Sequence, residues 1–228
     1  MFGLAVDKIE RGRSSFENTG TRLENEFIGE VDATKYKERA YKFLHQEKFS
    51  ETETPDEKFE RILRIREAAQ REFENALDFT DKSKYIDFKN SVKLVEQSQI
   101  GNPEKPSKFF PAALYNYIKD RFQDKYALKF FTATGGTHLD IVHGVDGFFK
   151  LYDKESNEEL ALATIDLTKN LSKDRARADV LINIDPVDEE KYDPSQNNKN
   201  FDKKFFDEKI KYFSEMIIQA LIENYQRR

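Results

Sequence analysis

The feature that constrains this chain most is a change in the period of its apolar residues near position 128. Upstream of it, large side chains recur at every third or fourth position, which places them on one face of a helix. Tyr36, Ala40, Phe43 and Leu44 follow that rule over residues 33–46. Thr54-Pro55-Asp56-Glu57 supplies a capping hydroxyl, a proline at the first helical position and acids in the first turn. These precede Phe59, Ile62, Leu63, Ala69, Phe73 and Leu77. The spacing of Tyr85, Phe88, Val92 and Val95 predicts a helix over 82–97. Phe110, Leu114, Tyr117, Ile118, Phe122 and Tyr126 predict another that starts at Ser107. Downstream, four short segments alternate instead: Leu128–Thr134, Val145–Tyr152, Leu160–Thr168 and Ala178–Asp185. They are separated by turn residues and read as strands, the middle two joined by a hairpin at Lys154–Glu159. A polar stretch, Pro186–Asn200, leads to a closing helix that carries Phe206, Ile210, Phe213, Ile217, Ala220 and Leu221.

Helices, then clustered strands, then a helix define an α+β chain with a small mixed sheet of three to four strands flanked by helices. Residues 1–30, broken by Gly3, Gly12, Gly20 and Gly29, read as an irregular arm with a short helix around Arg22–Phe27. Gly101–Pro106, with two prolines in four positions, is the clearest linker. It divides a helical N-terminal region, 1–106, from a core of 107–228.

Composition limits the function classes. Twenty Phe and ten Tyr supply apolar mass for a core although 36% of residues are charged and mean hydropathy is -0.81. There is no cysteine, which excludes disulfides, thiolate metal sites and cysteine nucleophiles. No apolar run approaches the roughly 20 residues that span a bilayer. The first residues lack the basic start of a secretory signal. The expectation is a soluble chain, cytoplasmic or within a particle assembled in the cytoplasm, with no membrane association. A net charge of -5 and a pI near 5.5 argue against a protein that coats nucleic acid non-specifically. They leave open an enzyme that meets phosphate locally through a divalent cation.

The chemistry concentrates in two of the predicted strands. Asp146 and Asp166 sit inside apolar segments, where an unpaired carboxylate costs several kcal/mol. Asp146 shares a face with Phe148 and Lys150, and Asp166 with Thr164 and Thr168, while Lys169 points to the other face. If the strands pair as the hairpin implies, the two acids meet at one end of the sheet. Carboxylates that close repel unless a cation lies between them, and hard oxygen ligands suit Mg²⁺ or Mn²⁺.

Gly144-Val145-Asp146-Gly147-Phe148-Phe149 and Ile165-Asp166-Leu167-Thr168-Lys169-Asn170 together resemble the PD-(D/E)XK nuclease superfamily. That superfamily sets an Asp at the start of one strand and an acid-x-Lys motif on the next. The resemblance covers about residues 107–185 and implies a restriction-endonuclease-like αβββαβ core. It also implies hydrolysis of phosphodiester bonds, with nucleic acid, DNA foremost, as partner. On it, Asp146 and Asp166 hold the metal, and Lys169 or Lys173 assists the attacking water. The match departs from the pattern at Thr168, which occupies the lysine position. Lys169 comes one residue late, and Lys173, or another residue of 173–177, is the candidate to reach back.

Other features read more plainly. Asp140 is taken as an edge-strand or turn acid. His138 and His143 lack a third nitrogen or sulfur ligand and read as packing or surface residues. Gly135-Gly136-Thr137 lacks the phosphate-loop frame and a convincing following helix, so it is taken as a turn. Two functions follow: a metal-dependent DNA nuclease, or a non-catalytic structural or interaction protein on a degenerate nuclease fold. The second would be, for example, a phage-particle or assembly component that docks a protein partner through its N-terminal helices.

Overall fold

In the computed structural model, which describes residues 24–47, 52–74, 81–173, 176–194 and 198–228, a four-stranded sheet separates two layers of helix. In chain order the elements are a helical turn at 24–27, α1 (Ala33–Leu44), α2 (Pro55–Glu72), a 3₁₀ turn (Lys82–Lys84), α3 (Phe88–Gln97) and α4 (Phe109–Lys119). Then come β1 (Tyr126–Thr132), the one-turn α5 (His138–Ile141), β2 (Gly147–Asp153), β3 (Glu159–Thr168), β4 (Val180–Asn183) and α6 (Lys203–Gln226). The sheet order is β1-β2-β3-β4. β2 runs antiparallel to both β1 and β3, and β4 pairs parallel to β3.

Period-two alternation explains how one sheet feeds two cores. Leu128, Phe130, Phe149, Leu151, Ala163, Ile165, Val180 and Ile182 pack against α4 and α6. Phe131, Ala133, Val145 and Phe148 face the opposite way, onto a cluster with Tyr36, Ala40, Phe73, Val92 and Val95 from α1 to α3. The N-terminal helices and the sheet therefore share one core across the predicted linker. The outer edge of β1 is covered by that linker, since Phe130 N donates to Pro103 O at 2.9 Å and Gln99 bonds both backbone groups of Thr132.

Several elements differ from the sequence expectation for identifiable reasons. The helix predicted over 82–97 splits, because Asp81 caps a 3₁₀ turn and Asp87 then caps α3 by accepting from Asn90 N. In α2 the buried stripe is Ile65, Ala69 and Phe73, while Phe59 and Leu63 are exposed; Leu77, assigned to the same face, lies outside the described residues. Tyr126 leaves the helix and opens β1 after α4 ends at Lys119. The start of the predicted Arg22–Phe27 helix also lies outside the described residues, which begin at Glu24. Among the described residues no helix is long and apolar enough to cross a membrane.

Candidate functional site

Two glycines deliver Asp146 to the end of the sheet. Gly144 turns the chain with φ +66°, and Gly147 leaves room where a Cβ would lie 3.1 Å from Phe131 O. Asp146 N then donates to Ile165 O at 2.9 Å, and Ala133 N donates to Asp146 O at 2.7 Å. The antiparallel register pairs Gly147 with Ile165 and Phe148 with Thr164. Continued by one residue, it sets Asp146 opposite Asp166, both on the Phe148 face. Both are buried, at 5% and 4% exposure. One oxygen of Asp146 accepts from Leu167 N at 2.7 Å.

Lysine reaches this pair by a folded-back loop. Thr168 Oγ1 accepts from Asn170 N, Asn170 Oδ1 accepts from Ser172 N, and Lys173 N closes the turn onto Asn170 O. The turn returns the Lys173 ammonium to Asp166 Oδ2 at 2.5 Å. Lys169 is not brought to the acids. Its ammonium lies 2.7 Å from Glu189, as its opposite strand face requires.

Two further acids join. Thr137 caps α5 by accepting from Asp140 N at 3.2 Å, and Asp140 Oδ2 accepts from Gly136 N at 3.3 Å. Glu24 comes from the helical turn ahead of a strap pinned to the sheet, where Thr132 Oγ1 donates to Gly29 O at 3.0 Å. Glu24, Asp140 and Asp146 each offer a carboxylate oxygen within 4.8 Å of the others. Asp166 stands against Lys173 rather than within that trio, so of the expected metal pair Asp146 alone belongs to it.

Burial and mutual repulsion make the cluster reluctant to ionise. Desolvation, then the charges of Glu24 and Asp140, pushes Asp146 up to about 9 despite the Leu167 amide. Burial first, then Asp140 and Asp166, raises Glu24 to about 7, with Lys173 opposing. Asp140 rises to about 6, again mainly through burial. Such a set can hold shared protons or a hard cation.

Asp140 was read as a turn acid, yet it is part of the cluster, and the expected absence of a helix after Gly136 is corrected by α5. Glu24 was missed, and nothing in its local sequence marks it. The histidines pack as read. His138 is fully buried with Nε2 2.6 Å from Lys84 O, and burial lowers it to about 4; His143 Nε2 lies 3.1 Å from Ile86 O.

Comparison of the chain with protein-family models, with curated proteins and with solved structures gave no match.

Proposed function

We propose that this chain is a divalent-cation-dependent nuclease that hydrolyses DNA phosphodiester bonds on a restriction-endonuclease-like core. The observation that carries the reading is the cross-strand pair Asp146 and Asp166 with the Lys173 ammonium on Asp166. The order of α4, three antiparallel strands and a parallel fourth also supports the resemblance to the PD-(D/E)XK superfamily. One departure is that no helix occurs between β3 and β4 among the described residues.

The donor set fits Mg²⁺ or Mn²⁺, because three carboxylates from separate elements lie within 4.8 Å of one another, and burial with mutual repulsion raises all three. Glu24, Asp140 and Asp146 would hold the ion, with Asp166 alongside. Bound there, it would supply Lewis acidity toward phosphate and a more acidic water. The chain's own contribution is positional. The Leu167 amide fixes the Asp146 carboxylate, and Lys173 pairs with Asp166 and offers a cation beside it. Lys173 in this role replaces the lysine that Thr168 displaces.

Thr168 also favours the alternative, a non-catalytic structural or interaction protein on a degenerate nuclease fold. Plasmid and circular single-stranded DNA, each incubated with Mn²⁺ and purified protein, separate the two. The nuclease reading expects cutting by the wild type and none by Asp166→Ala. No cutting by either protein, with melting unchanged by metal, rejects it.

A further inference from the structure

We propose that Tyr85, Phe88 and His143 form a platform on which an unpaired base of single-stranded DNA stacks beside the acid cluster. The proposal rests on the nuclease reading and names the form of its substrate. Tyr85 is 55% and Phe88 39% exposed. Their ring centroids lie 6.0 and 5.6 Å from that of His143, at interplanar angles of 57° and 87°, so neither ring stacks face to face on the imidazole.

The rings stand on rigid backbone. His143 is held to Ile86 O, His138 to Lys84 O, and Ile86 between the two aromatics is fully buried. Phe88 opens α3 directly after its Asp87 cap. Little conformational freedom is left to lose when a base docks.

The rings are also tied to the acids by the chain itself. His143 lies three residues after Asp140 and three before Asp146, in a turn closed by Gly144 N to Asp140 O at 2.9 Å and Val145 N to Leu139 O at 3.0 Å. At 3.8 Å per Cα step, the Cα atoms of His143 and Asp146 are at most about 11 Å apart. Arg177 borders the same turn, donating to Val142 O, with its side chain 3.8 Å from the Cβ position of Gly144. Arg177, exposed beside His143, gives the patch a cationic margin that suits phosphate. An apolar protein partner would have no use for it. A paired base already spends its π-faces within the duplex, so exposed rings select an unpaired one.

The test is anisotropy of a fluorescent 20-nucleotide single strand and its duplex, with Ca²⁺ in place of Mn²⁺. Tyr85→Ala/Phe88→Ala is expected to bind the single strand about tenfold more weakly and to leave duplex binding unchanged. Tyr85→Phe/Phe88→Tyr, which keeps both rings, is expected to bind as the wild type does, and Tyr85→Ala alone, which removes the more exposed ring, decides the matter if the double alanine variant misfolds. Equal single-strand affinity of wild type and alanine variant overturns the proposal, as does ring-independent loss in the conservative variant. Tighter binding of the wild type to duplex, or to RNA of the same sequence, also overturns it. Cutting of circular single-stranded DNA and of plasmid in Mn²⁺ is followed in parallel. Absence of all cutting by the wild type counts against the nuclease reading alone, whereas cutting that the alanine variant leaves unchanged counts against the platform alone.

Discussion

Replacing Asp146 by Asn in chelator should make the protein more stable at alkaline pH and flatten its pH dependence. Asp146 is held at about 9 in the folded chain, against 3.8 for the ordinary group. Between those values the folded state binds a proton that the unfolded state does not, so stability falls as pH rises. Each excess proton is worth about 1.4 kcal/mol per pH unit, or about 2 kcal/mol between pH 7 and 8.5. In a chain of this size that corresponds to a fall of roughly 4–8 °C in Tm. Glu24, raised to about 7, adds a smaller loss of the same sign in the lower part of the window. The lowered carboxylates Asp32, Asp81, Asp87 and Asp153 are ionised in both states there, and His138, lowered to about 4, is neutral in the folded chain. Calorimetric or circular-dichroism melts in EDTA at pH 7, 7.75 and 8.5 give the slope. Asp146→Asn is expected to lose most of it and to melt above the wild type at pH 8.5, since an amide oxygen still accepts from Leu167 N without carrying charge. A wild-type Tm that is flat or rising across this window, or a variant that melts lower throughout, refutes the burial argument.

Other perturbations follow from the same geometry. Lys173→Ala should reduce Mn²⁺-dependent cutting about 10²-fold or more in a single-turnover assay, whereas Lys169→Ala, which loses only the Glu189 pair, should change it by less than about threefold. Phe148→Ala should cost about 3–5 kcal/mol in urea unfolding, because the ring is fully buried and stacked 5.1 Å from Phe131. Lys150→Ala should cost about 1–3 kcal/mol in the same measurement, because Glu96 loses the buried ammonium while Glu159 keeps its pair with Arg228.

Much of the fold was legible because apolar period reports which faces are buried. The change near residue 128 placed four strands and the closing helix, and alternation put Asp146 on the Phe148 face and Asp166 on the Thr164 face, which the register makes one. Strand-face logic also turned Lys169 away from the acids. Local composition could not show where Glu24 would land, since its place depends on a strap bonded to Thr132 more than a hundred residues later. Asp140 was underweighted because a one-turn helix has too little sequence to display a period. The split of the 82–97 helix turned on two aspartate caps, whose competition with the helical pattern is decided by the buried Ile86 between them.

The decisive measurement is isothermal titration calorimetry of Mn²⁺ into the metal-free wild type, Asp146→Asn and Asp140→Asn at pH 7, in two buffers of different ionisation enthalpy. Carboxylates that hold a cation only by giving up shared protons predict one saturable site in the wild type and release of at least about one proton per ion, with the site lost in both variants. Absence of saturable heat in the wild type, or binding that both substitutions leave intact, would contradict the claim that these acids form a metal centre.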